Sequence, residues 1–165
     1  MDHVRDLARH DIDYVEQPIP SSCSLAEIAA FRRASPVRTA LDESATDEAS
    51  VRAILAVGAA DVVILKTQRA GGPDRARASI VACAEHGVQV TVTVSLESAI
   101  GTAVALHVAS VLGAPIPDCG ILTGRFLSED LGRMPPVEAG AVMHVPVGPR
   151  LGLVPTVRWP HSPAR

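Results

Sequence analysis

Val62-Val63-Ile64-Leu65-Lys66-Thr67-Gln68-Arg69-Ala70-Gly71-Gly72, or VVILKTQRAGG, holds the only lysine of the chain; the other fourteen of its fifteen basic residues are arginine. Val62 to Leu65 is a short unbroken apolar run, the pattern of a strand buried on both faces. Lys66 closes that strand, and Gly71-Gly72 ahead of Pro73 supplies a tight turn into a helix. A buried parallel strand that hands its last side chain to a loop is the building unit of an α/β protein.

The flanking sequence repeats that unit. Ile12 to Val15 reads as a strand, followed by the turn residues Pro18, Pro20, Ser21 and Ser22. Ser24 is then a helix N-cap, with Glu27 completing a capping box, and Leu25, Ile28, Ala29 and Phe31 continue at helical spacing. Val37 to Leu41 is a second strand. Thr46 and Asp47 open a second helix with Val51, Ile54, Leu55 and Val57 on its apolar face, and Gly58 ends it. After the quoted strand come a helix from Asp74 to His86 closed by Gly87, a strand from Val88 to Val94, and a long apolar helix from Ala99 to Leu112. Cys119 to Leu122 is a further short strand. This β-α alternation, at about 25 residues per unit, predicts a parallel sheet covered by helices. An open doubly wound sheet and part of a (β/α) barrel both fit. The open sheet calls for a glycine-rich phosphate loop, and neither GxGxxG nor GxxxxGK[ST] occurs. The barrel places its functional groups at the C-terminal ends of successive strands.

Composition sets outer limits. The 165 residues have the length of one ordinary domain, and a 47% apolar share with only 2% aromatics makes for an aliphatic core. A net charge of −3 argues against nucleic acid or an anionic membrane as an obligate partner. Cys23, Cys83 and Cys119 are odd in number and lack a CxxC, which favours buried thiols in a reducing compartment. With no signal-peptide pattern at the N-terminus and no run of 18 apolar residues, a soluble cytoplasmic location is expected. The six histidines show no HxH or HExxH spacing.

The strand ends carry the chemistry. Glu16 ends the first strand, Asp42-Glu43 the second, Lys66 the third, and Thr93-Val94-Ser95 the fourth, with Glu97 just beyond. In a parallel barrel these project into one mouth. Two carboxylates from neighbouring strands suit a hard divalent cation such as Mg²⁺, and an ammonium beside them can move a proton or stabilise negative charge. Singly, each has a plainer reading: a helix cap for Asp42, a solvated acid for Glu16, a snorkelling lysine for Lys66. Arg69 reads as a solvated surface arginine, with contact to a substrate carboxylate as the alternative.

The stretches YVEQP, ALDES, VVILKTQRAGG and VSLESAIG, in this order and spacing, resemble the C-terminal half of an enolase-superfamily enzyme of the muconate cycloisomerase-like subgroup. CGILTG with Glu129-Asp130-Leu131 leans towards its o-succinylbenzoate synthases. The resemblance covers roughly residues 7 to 155. It implies a fold that is α/β, the C-terminal half of a (β/α)7β TIM-like barrel, with strands four to eight in residues 1–133. Residues 134–165 are then a tail that packs on the capping domain, with a loop at Met134–Gly140 and a short strand at Val142–Val145. RWPHSPAR, residues 158–165, has no assignable role.

The resemblance further implies Mg²⁺, with Mn²⁺ as the alternative, held by Glu16 and Asp42 as two of three carboxylate ligands. Lys66 is then the active-site lysine, Glu43 an acid behind it or the metal, Thr93, Val94 and Ser95 hold the substrate carboxylate through hydroxyl and backbone donors, and Glu97 is a further substrate-binding residue. The implied reaction is removal of a proton alpha to a carboxylate, with Lys66 stabilising charge in a dehydrating synthase or returning the proton in an epimerase. Lys66→Ala is expected to abolish that chemistry with little effect on folding. Dipeptide epimerase, N-succinylamino acid racemase and muconate cycloisomerase are the alternative activities. The family's capping domain, its KxK motif and its first aspartate ligand have no counterpart in this sequence. The expected partners are therefore a small carboxylate substrate together with a separate N-terminal half or further copies of the chain. Alone, the chain is expected to be inactive, or a non-catalytic remnant.

Overall fold

The computed structural model describes residues 1–113 and 116–156. Its centre is a four-stranded parallel sheet in the order β1-β2-β3-β4, formed by β1 (Tyr14–Glu16), β2 (Arg38–Leu41), β3 (Val62–Lys66) and β4 (Gln89–Thr93). The helices are α1 (Asp2–Leu7), α2 (Leu25–Ala34), α3 (Glu48–Ala56), α4 (Pro73–Glu85) and α5 (Ala99–Ala109). Successive strands pair directly, each joined to the next by a crossover helix, as in one arc of a β/α barrel.

Local chemistry explains the helix starts. Ser24 and Glu27 form a full capping box at α2. At α3 the cap is Asp47 rather than Thr46, because Asp47 Oδ1 accepts from Ser50 N while Ser50 Oγ accepts from Asp47 N. Gly72, with φ of +106°, turns the chain into α4, where Pro73 takes the first helical position. Ser98 makes no side-chain cap at α5; instead both carboxylate oxygens of Asp130 accept from Ala99 N at 2.9 Å.

The main core lies between sheet and helices. Leu41, Val63, Leu65, Val90 and Val92 meet Val51, Ile54, Ala76, Ile80 and Leu106 there, all buried. A smaller cluster of Ala40, Val62 and Ile64, backed by Tyr14, occupies the opposite face, which in a barrel is the interior.

Several expected strands are shorter than read. β1 begins at Tyr14 because its pairing starts opposite Arg38, leaving Ile12 unpaired and exposed. Cys119–Leu122 contributes a single parallel bridge, Thr93 to Gly120, and Val142–Val145 reduces to one antiparallel bridge, Val137 to Met143. The chain then returns along 131–133, where Arg133 N donates to Val154 O and Thr156 N to Leu131 O. Trp159 and the rest of RWPHSPAR lie outside the described residues. No helix among the described residues is long and apolar enough to cross a membrane.

Candidate active site

Strand alternation decides what faces the mouth. Register pairs Glu16 with Ala40, Ala40 with Val62, and Lys66 with Thr93. Since Ala40, Val62 and Ile64 form the inner cluster, Glu16, Asp42, Lys66 and Thr93 stand at the next inner positions towards the C-terminal ends. Four of the residues expected to act together are thus on one face of one sheet.

Asp42 is the hub. Its side chain is 8% exposed. Lys66 Nζ donates to its Oδ2, and Arg69 Nη1 donates to its Oδ1 at 3.1 Å. Arg69, expected to be a solvated surface residue, instead turns its guanidinium back from the loop 66–72 onto Asp42. Glu16 lies close enough to Asp42 to feel its charge. Burial, then Asp42, then Glu43 push the Glu16 carboxyl above its ordinary range, against the opposing charge of Lys66. The Glu16 carboxyl thus feels its own burial first and the neighbouring acids second, with Lys66 opposing both. Thr93 adds a hydroxyl that is buried without a hydrogen-bond partner.

The other expected residues are placed differently. Glu43 is exposed and bears on the site only through its charge on Glu16. Val94 is corrected as a donor, since its N–H is taken by Gly120 O and its side chain packs in the core. Ser95 is exposed, and its carbonyl accepts from Thr123 Oγ1. Glu97 folds over Gly101, where a Cβ would stand 2.3 Å from Glu97 Oε2, so its side chain lies against the first turn of α5. Two contributors escaped the sequence reading, Gln17 and Thr123. Both make hydrogen bonds across 25 or more residues, for which no local pattern exists.

The residues present suit a hard divalent cation as a partial set. The two carboxylates, Glu16 and Asp42, are close enough for Asp42 to help raise the Glu16 carboxyl, an effect a bound cation would relieve. Among the described residues, no group of three or more His, Cys, Asp or Glu is placed to hold a metal ion. Glu16 and Asp42 are thus the two carboxylates that would face such a cation, with fewer than three protein ligands among the described residues.

A family model described as enolase C-terminal domain-like matches residues 1–158. The chain belongs to this enolase family. It is 35% identical over 128 residues to the o-succinylbenzoate synthase of Thermobifida fusca, covering 78% of this chain and 38% of that one. It is 33% identical over 153 residues to muconate cycloisomerase 1 of Rhodococcus opacus, covering 92% and 40%. Among solved structures, the muconate lactonizing enzyme of Pseudomonas fluorescens, complexed with muconolactone, superposes with a TM-score of 0.85 at 28% identity, over 93% of this chain and 41% of that one. The enolase-family chain thus spans about two fifths of the length of these relatives. Its parallel sheet and outer helices correspond to the C-terminal half of their barrel.

Proposed function

We propose that this chain is the lysine-bearing, metal-binding half of an enzyme that removes a proton alpha to a carboxylate, of the o-succinylbenzoate synthase kind, acting in the cytoplasm. The observation that supports this best is the meeting of Glu16, Asp42 and Lys66 at three consecutive strand ends, with Asp42 hydrogen-bonded to Lys66. When bound, Mg²⁺ would draw electron density from a substrate carboxylate and make its alpha proton removable. Glu16 and Asp42 would hold that cation. Lys66 would stabilise the charge left when the Cα–H bond breaks, or move the proton itself. The unpaired hydroxyl of Thr93, next to Lys66 in the ladder, offers a donor for the substrate carboxylate.

The test joins this chain to the capping domain and early barrel strands of the Thermobifida fusca synthase and measures dehydration of the synthase substrate. Turnover by the joined protein, and its loss in Lys66→Ala, is the expected result. Activity unchanged by Lys66→Ala would remove the role of the lysine. The second reading, a non-catalytic product, is favoured by the lack of a three-residue ligand group among the described residues. A joined protein that folds but never turns over would establish it.

A further inference from the structure

Gln17 follows Glu16 directly and has φ of +41°, in the left-handed region that a non-glycine side chain seldom adopts. Its backbone N–H makes the last contact between β1 and β2, donating to Ala40 O at 2.8 Å. The chain then twists and sends the side chain across the end of β2. There the carboxamide is fully used. Nε2 donates to Ile19 O at 2.9 Å and to Ser44 Oγ at 3.0 Å. Oε1 accepts from the backbone N–H of Asp42 at 3.2 Å and of Ser44 at 3.3 Å. Two donors and one twofold acceptor are all that an amide side chain possesses.

This places one residue between the two carboxylates of the site. Glu16 is its covalent neighbour, and the backbone amide of Asp42 is its hydrogen-bond partner. Strand pairing does not fix Asp42, because β2 ends at Leu41 and its ladder to β3 ends with the Leu41–Val63 pair. The carboxamide takes over where the ladder stops. Backbone strain held in place by surrounding bonds is common where geometry serves a site.

We infer that Gln17 is the positioning residue of the carboxylate pair: its side-chain amide, bridging β1 to the Asp42–Ser44 turn, sets the offset between Glu16 and Asp42 that a divalent cation requires. The inference rests on the metal reading of the site for its purpose, though not for its geometry. It makes Gln17 neither a ligand nor a proton donor; it acts through Asp42.

The full chain is compared with Gln17→Leu, which removes the amide at similar size, and Gln17→Asn, which tolerates a left-handed backbone but is one methylene too short. Two quantities are read: hydrogen exchange of the Asp42 and Ser44 amides by NMR, and Mn²⁺ affinity by electron paramagnetic resonance. Both variants should lose protection at these two amides while Val63 and Leu65 keep theirs. Both should bind Mn²⁺ about tenfold more weakly whatever their Tm, about 1.4 kcal/mol. A merely structural role predicts that affinity follows Tm and that Asn restores it; that result, or unchanged protection at Asp42 and Ser44, overturns the inference. If the unmodified chain binds no Mn²⁺, the metal reading falls, and the exchange data alone then decide whether the amide holds the turn.

Discussion

Lys66→Met is the perturbation on which the site's energetics turn. The sequence alone suggests that losing the lysine costs function but little stability; the structure implies otherwise. The Lys66 side chain is 18% exposed and its ammonium is one of two cations on Asp42, whose side chain is 8% exposed. Breaking a buried ion pair by removing one partner costs about 3–5 kcal/mol when the remaining charge has no other partner. Here Arg69 still donates at 3.1 Å, though its side chain is 32% exposed. The expected loss is therefore that of one charged hydrogen bond, about 2 kcal/mol. With a urea m-value of about 2 kcal/mol/M, the midpoint falls by roughly 1 M. Arg69→Ala alone should cost about 1 kcal/mol, because its guanidinium is better solvated. The double variant should lose about 4 kcal/mol, more than the sum, since Asp42 is then buried with no cation. In an Asp42→Asn background the Lys66→Met effect should shrink to a few tenths of a kcal/mol. Urea denaturation at neutral pH and low salt measures all four. A midpoint shift under about 0.2 M for Lys66→Met, or an equal loss with Asn at position 42, refutes the reasoning.

Glu16 should behave in the opposite sense. Burial, Asp42 and Glu43 raise its carboxyl in the folded state, so its contribution is present in acid and lost as pH rises through the raised folded value. Glu16→Gln should therefore stabilise at pH 7 by a few tenths of a kcal/mol, after allowance for solvent screening, and not below about pH 4, as thermal melts across pH will show. Burial alone would raise Asp61, but hydrogen bonds from Arg32 and the Thr39 amide, with the charges of Arg32 and Arg38, outweigh it and hold the acid low. Its contribution is present above the ordinary carboxylate range and lost as pH falls below about 4, and Asp61→Asn should flatten that acid limb of a stability–pH curve. Cys83 is fully buried, and burial pushes its thiol up to about 12. It should resist alkylation at pH 8 until the chain unfolds, which mass spectrometry of labelled peptides checks. Gly101→Ala should lower Tm by several degrees, because the new methyl meets both the carboxylate and the Cβ of Glu97.

What could be read from the sequence follows from the range of each interaction. The Ser24–Glu27 box, the Gly72–Pro73 turn and the apolar run ending at Lys66 are local patterns, and each stands where it was expected. Consecutive strand ends likewise brought Glu16, Asp42 and Lys66 together, since period-two alternation fixes their common face. Arg69, Gln17 and Asp130 were not legible. Each is defined by a partner 25 to 31 residues away, and only the folded backbone brings those atoms within reach. The fifth strand failed for a related reason. Apolar residues at 119–122 satisfy a strand pattern, but only the Gly120 backbone meets Thr93, where a Cβ would press within 3.2 Å of its methyl.

The Asp130 carboxylate on Ala99 N has a consequence in time. All four strands are encoded by residue 93, yet the most apolar helix, Ala99–Ala109, has no cap of its own. As the chain leaves the ribosome, the start of that helix must wait 31 residues for Asp130, and 26 more before Thr156 holds Asp130 from behind. A nascent chain arrested between those points would present a finished sheet beside an unlocked greasy helix, the kind of intermediate that chaperones recognise.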